Sequence, residues 1–276
     1  MLGAIEAGGT KFVCGAGAGP ADIETIRIPT TSPEETTEAA ITFLRRRGVT
    51  AVGIASFGPV DLARGRITTT PKTAWRNFEL ARTVCEALGV PVAFDTDVNG
   101  AALGEARWGA ARGVPDFLYI TIGTGIGGGA MVNGALLHGL SHPEMGHVRI
   151  PHDRARDPFA GVCPFHGDCL EGLASGPAME ARWGTSARDL PADHEAWQLE
   201  AHYLALGIAN WICALSPRLV LAGGGVAECE HLLPLVRREL TAALNGYLDA
   251  PPILRPALRA QAGVLGALAL AETASR

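Results

Sequence analysis

No run of about eighteen uncharged apolar residues occurs in the 276-residue chain, so a membrane-spanning helix is not expected. At the amino terminus, MLGAIEAGGTK places a Glu and a Gly pair where a secretory leader would carry its apolar stretch, and the expected location is cytoplasmic. A long basic run is missing too. The formal net charge is −5 with both signs interspersed, which denies nucleic acid the electrostatic footprint it needs. Neither the Walker phosphate sequence nor the dinucleotide fingerprint is present: no glycine stretch ends in Gly-Lys-Ser/Thr, and none opens a helix with the required spacing. Cysteine is sparse, with 6 residues, and in a cytosolic chain these read as thiols or metal ligands instead of a disulfide framework.

The composition that remains is 47% hydrophobic and 18% charged, with 35 Gly and 18 Pro, as in a packed globular protein rich in turns. The chain is long enough for two lobes with separate cores. Residues 2–16 read as two short strands joined at Gly8-Gly9. SPEETTEAAITFLRRRG then carries a helix start, with Ser32 as cap and Pro33 at the first helical position, and Gly48 ends it. VTAVGIASFGPVD and VPVAFDTDVNGAALGEARWG each give a strand and a loop, the second running into an Ala-rich helix near Val98. The pattern restarts at FLYITIGTGIGGGAMVNGALL. A helix over 197–215, the strand RLVLAG, a helix over 231–245 and a helical GVLGALALAETA complete the chain. The expected fold is a duplicated α/β architecture with a cleft between lobes: an N-terminal lobe over 1–115, a C-terminal lobe over 116–261, and a final helix over 262–276 packed back on the first.

Three Gly-rich turns follow strands, EAGGTK at 6–11, GTGIGGG at 123–129 and AGGG at 222–225. Glycine lets backbone N–H groups approach phosphate oxygens that a side chain would shield. Any one turn alone could be a tight hairpin; two in matching positions of a repeat point to phosphate. Asp95 and Asp97 lie in DTDVN, between a strand and a helix. Either could cap the helix. A carboxylate at the carboxyl end of a strand can equally take a proton from a substrate hydroxyl as it attacks phosphorus. HPEMGH followed by VCPFHGDCLEG supplies His147, Cys163, His166 and Cys169, two imidazoles and two thiols whose spacing suits one tetrahedral zinc. Two sulfur ligands disfavour magnesium, and four protein ligands leave no open position, so the zinc would be structural. His142 is left out of the set because Pro143 follows it.

Taken in order, these motifs resemble the ROK family of sugar kinases, whose fold is the actin and hexokinase-like (ribonuclease H-like) two-lobe fold. EAGGTK is similar to the family's first phosphate motif, DTDVN to its catalytic motif, GTGIGGG to its second phosphate motif, EMGH with the Cys-rich loop to its sugar and zinc motif, and AGGG to its adenosine turn. The resemblance implies ATP with Mg2+, a structural Zn2+, a hexose acceptor and a homodimer. It implies Asp97 as the base and Glu144, His147 and Glu171 as partners of sugar hydroxyls, with Gly58 and Pro59 lining the sugar pocket. Gly8, Gly9, Thr10 and Lys11, with Gly123, Thr124 and Gly125, would hold phosphates, Gly223, Gly224 and Gly225 the adenosine, and Glu6 would lie near the magnesium. Three departures stand out: Glu6 in place of Asp, Thr96 in place of an Asn that touches sugar, and His166 where the loop often has a third cysteine. With TPKTAWRNF at 70–78 they look like the family's fructokinase branch.

A sugar-responsive transcriptional regulator on the same fold is the competing class. It would need a DNA-reading helix-turn-helix, and with the first strand beginning near Leu2 none is expected. A zinc-based interaction module leaves the carboxylates around the Cys-rich loop unexplained.

Overall fold

A computed structural model describes residues 1–70 and 72–274. Along the chain the elements are β1 (Leu2–Ala7), β2 (Lys11–Gly17), β3 (Glu24–Pro29), α1 (Pro33–Arg45), β4 (Ala51–Ser56), β5 (Val60–Asp61) and β6 (Arg66–Ile67). Next come α2 (Leu80–Leu88), β7 (Val92–Thr96), α3 (Asp97–Trp108), β8 (Phe117–Ile122), β9 (Ile126–Val132) and β10 (Ala135–Leu136). The remainder is α4 (Leu170–Ala174), α5 (Gly176–Trp183), α6 (Ala196–Leu215), β11 (Leu219–Gly223), α7 (Leu232–Leu244), β12 (Ile253–Leu254) and α8 (Ala262–Ala274). Of the sequence expectations, Pro71 in TPKTAWRNF and the last two residues of the final helix lie outside the described residues.

The chain divides into two units. The first comprises Met1–Gly113, Leu136–Pro143 and Pro256–Arg276; the second comprises Val114–Ala135 and Glu144–Arg255. Leu136–Pro143 and Pro256–Gln261, expected from the sequence in the C-terminal lobe, thus group with the first unit. The first unit holds a five-stranded sheet ordered β3-β2-β1-β4-β7, and the second a sheet ordered β10-β9-β8-β11-β12. Each begins with an antiparallel hairpin, β1 with β2 and β8 with β9, and continues through parallel strands. Strand, crossover, parallel strand is the arrangement that requires helices on the sheet, and it explains why β4 is buried at every position.

Local chemistry fixes the element ends. The β1–β2 register runs through Ala7 opposite Phe12. Gly8, Gly9 and Thr10 are left as the turn, and Gly8 N–H donates to the Lys11 carbonyl at 3.1 Å. A Cβ on Gly8 would stand 2.6 Å from that oxygen, so the turn needs glycine. For α1, Ser32 Oγ accepts from Glu35 N–H, Pro33 occupies the first turn, acidic residues follow and Arg45 sits in the last turn.

The core of the first unit is built from Ile5, Phe12, Ile54, Leu80 and Trp75, with Phe12 and Trp75 rings 5.2 Å apart. On its other side α8, buried at most positions, packs on α3 and across β1 and β4. The approach is close: a Cβ on Gly266 would lie 2.0 Å from the Gly100 carbonyl oxygen of α3. Among the described residues no helix is long and apolar enough to cross a membrane.

Candidate active site and metal centre

In the first unit β7 passes directly into α3, and the turn between them carries DTDVN. Thr96 is the helix cap: its side chain accepts from Asn99 N–H at 3.1 Å. Asp97, the first helical residue, is half-buried and its Oδ1 accepts from Val98 N–H at 2.8 Å. Capping therefore falls to Thr96, and Asp97 is left with a carboxylate at the carboxyl end of β7. Asp95 is 4% exposed, and its Oδ1 accepts from Thr96 N–H and from the Asn99 amide, each at 2.8 Å. Its Oδ2 takes a bond from His138 Nε2 at 2.8 Å.

Glu6 lies next to the last residue of β1. Burial pushes its carboxyl up to about 7, the negative charge of Asp97 adds to the rise, and Lys11 together with a bond from Val264 N–H at the start of α8 opposes it. The second oxygen, Oε2, is buried without a hydrogen-bond partner. Gly58 and Pro59 form a cis peptide after β4. The Pro59 carbonyl accepts from Thr68 N–H at 2.8 Å, and Val60 N–H donates to Nε2 of the buried His142 at 3.0 Å. His142 is thus a structural partner of that loop, apart from the metal-ligand set.

In the second unit Gly123 N–H donates to the Gly125 carbonyl at 2.9 Å, and Gly176 N–H at the head of α5 donates to the Gly123 carbonyl at 2.7 Å. Gly224, which follows the end of β11 at Gly223, has φ +91°, a conformation that favours glycine. A cavity of about 340 Å³ is lined by Gly123, Thr124, Pro177, Glu180, Arg188 and Gly225. The sequence reading reached Gly123, Thr124 and Gly225 of this cavity but missed Gly176, Pro177, Glu180 and Arg188; Gly176 and Pro177 follow the Ser175 cap of α5, whereas Glu180 and Arg188 carry no turn signal.

The same unit gathers His147, Cys163, His166 and Cys169, whose ligand atoms all lie within 4.8 Å of one another. His147 Nδ1 is 3.5 Å from Cys169 Sγ and 3.7 Å from Cys163 Sγ, and His166 Nδ1 is 3.6 Å from Cys163 Sγ. The four side chains could hold one metal ion. Burial pushes the Cys169 thiol up to about 11, and a bound cation would reverse this by stabilising the thiolate. Asp168 in the same loop is held down to about 2, first by the hydrogen bond from His152; burial opposes this, and the hydrogen bond from Arg154 and the charge of Arg149 add to the lowering. Arg149 also donates to the His166 carbonyl at 2.7 Å, tying the loop to the preceding segment. The other ring nitrogen of His147, Nε2, lies 3.9 Å from Glu171 Oε1, while Glu171 Oε2 accepts from Ile126 N–H at 2.9 Å. Glu144 is exposed, and its carbonyl accepts from His147 N–H.

The sequence profile described as the ROK family matches residues 2–274. This chain belongs to the ROK family. It is 43% identical to a fructokinase from Zymomonas mobilis subsp. mobilis, covering 98% of this chain and 96% of that one. A fructokinase from Pediococcus pentosaceus is 40% identical, covering 99% and 98%. The crystal structure of a ROK family glucokinase from Streptomyces griseus in complex with glucose and AMPPNP is 28% identical with a TM-score of 0.80, covering 99% of each chain. The duplicated pair of mixed sheets is the ROK kinase fold, of the α/β actin-like kind.

Proposed function

We propose that this ROK protein is an ATP-dependent fructokinase, transferring the terminal phosphoryl group of ATP to D-fructose to give ADP and D-fructose 6-phosphate. The reading is carried by identities of 43% and 40%, over nearly the whole chain, to proteins named fructokinase, against 28% to the glucose-bound glucokinase.

Asp97 is the base: its carboxylate takes the proton of the sugar hydroxyl, whose oxygen attacks the γ-phosphorus as ADP leaves. Assignment of the helix cap to Thr96 supports this role. Gly58, Pro59, Thr96, Glu144, His147 and Glu171 hold the sugar. Gly8, Gly9, Thr10 and Lys11, with Gly123, Thr124 and Gly125, hold the phosphates, and Gly223, Gly224 and Gly225 hold the adenosine. Magnesium rides on the nucleotide with Glu6 near it, since phosphoryl transfer calls for a hard cation.

Zinc is the metal of the His147, Cys163, His166 and Cys169 set. A tetrahedron with zinc–sulfur and zinc–nitrogen bonds of ordinary length has its donors roughly 3.3 to 3.8 Å apart. Separations of 3.5, 3.6 and 3.7 Å suit it. With four protein ligands it acts structurally, fixing the His147 ring so that Nε2 is free for a sugar hydroxyl. A homodimer and a cytoplasmic location belong to the same reading.

An assay of ADP release over fructose, mannose, glucose and N-acetylglucosamine tests the proposal. Fructose is expected to give the largest kcat/KM. A larger value for glucose would overturn fructose while leaving the kinase, and no ADP release with any hexose would overturn both.

A further inference from the structure

We infer that His138 is a positioning residue for the phosphoryl transfer, holding Asp95 and through it the turn that presents Asp97; the inference rests on Asp97 being the base. The Asp95 carboxylate is the hub of that turn. Two of its bonds come from the turn itself, the Thr96 N–H and the Asn99 amide, both on Oδ1. The bond on Oδ2 comes from His138, 43 residues away in sequence. His138 lies in Leu136–Pro143, the segment that groups with the first unit.

The direction of that bond follows from chemistry. An ionised carboxylate only accepts, and at 2.8 Å the contact needs a proton between the atoms, so Nε2 is the protonated nitrogen. The Asn99 amide stands 3.3 Å from the same Nε2 and gives its proton to Asp95 instead. His138 and Asn99 therefore act together as donors on opposite oxygens of one side chain, which fixes its rotation. With the rotation of Asp95 fixed, its Oδ1 holds the Thr96 N–H, and Thr96 in turn caps the helix whose first residue is Asp97.

Magnitudes separate positioning from stability. The His138 side chain is 39% exposed, and an ion pair with so exposed a partner contributes little to folding. A reacting group displaced by about 1 Å, however, costs on the order of a hundredfold in rate. The segment carrying His138 has a separate anchor, His142 Nε2 on Val60 N–H, so removing the His138 ring takes away one bond and leaves the segment docked. The ring borders a cavity of about 690 Å³ lined also by Asp61, Phe94, Leu140 and Ser141, so truncation enlarges an open space and creates no buried void.

The test compares His138→Ala, His138→Gln, Asp97→Asn and the double variant His138→Ala/Asp97→Asn in the full-length protein, reading kcat, KM for ATP and Tm. His138→Ala is expected to lower kcat roughly ten- to a hundredfold with KM for ATP and Tm near wild type. His138→Gln, which keeps a donor at the same reach, restores most of the loss. In the Asp97→Asn background the His138→Ala effect disappears, because its target is gone. If Asp97→Asn is damaging and His138→Ala keeps wild-type kcat, the inference fails and the base assignment stands. The inference fails likewise if the two losses multiply, or if His138→Gln is as slow as His138→Ala. Near-normal turnover in Asp97→Asn would overturn the base assignment, and the inference with it.

Discussion

Thr96 and Asp97 are neighbours that a single substitution each can tell apart. Thr96→Ala removes the acceptor for Asn99 N–H and should cost about 1 kcal/mol of stability, the usual worth of a helix cap, measured by chemical denaturation. Asp97→Asn keeps the shape and leaves the cap in place. It is expected to lower kcat by about two to four powers of ten with Tm unchanged. Asp95→Asn should lower both, because an amide nitrogen facing a protonated His138 Nε2 opposes donor to donor.

Glu6 makes a pH prediction at the same scale. Its carboxyl sits at about 7 in the folded protein against 4.5 for an unburied one, so between those values the folded state binds more protons than the unfolded one. Stability should therefore fall as pH rises from 4.5 through 7, by up to about 3 kcal/mol from this group. Glu6→Gln should flatten that slope in denaturation curves taken at each pH. An unchanged slope would mean that the burial of Glu6 is relieved in solution.

Among the elements, those with chemical punctuation could be read from the sequence. Ser32-Pro33 announces the start of α1, and the Gly8-Gly9 pair announces the β1–β2 turn. Elements without such marks escaped: β3, an edge strand whose Glu24, Thr25, Arg27 and Pro29 are exposed, and the short α4; α5 escaped although Ser175 caps it and Pro177 lies in its first turn. DTDVN was legible as the passage from a strand to a helix, yet its division of labour was not, since Asp and Thr both cap helices and only the geometry assigns the cap to Thr96. His138 and His142 escaped as site-building residues because the partners that define them, Asp95 and Val60, are distant in sequence.

Two elements carry predictions. Gly266→Ala drives a methyl group into the Gly100 carbonyl, so α8 and α3 must part; a loss of about 1–3 kcal/mol is expected, with reduced kcat because α3 begins at Asp97. For the Cys-rich loop, elemental analysis should find zinc, and Cys169→Ser or stripping with a chelator should lower Tm. Metal-free protein with wild-type Tm would contradict a structural role.

At the scale of the whole molecule, the repeat of strand order between the two sheets is what the restart at FLYITIGTGIGGGAMV signals, because a hairpin with a glycine turn precedes parallel strands both times. The grouping of Leu136–Pro143 with the first unit has no such signal: hydrophobic periodicity reports which residues are buried and is silent on what buries them. The first unit is discontinuous, and this bears on synthesis. Its helix α8 is translated after the entire second unit, and α8 is the element that covers α3, β1 and β4. A nascent chain therefore emerges with one face of its first sheet bare, including the Ala4, Ala55 and Val13 side chains that α8 later shields. The second unit can close early on the ribosome, whereas the helix beginning at Asp97, although it already meets β4 and β7, gains its packing against α8 only at the end of translation. Chaperone demand should accordingly concentrate on the opening third of the sequence, long after that third has been made.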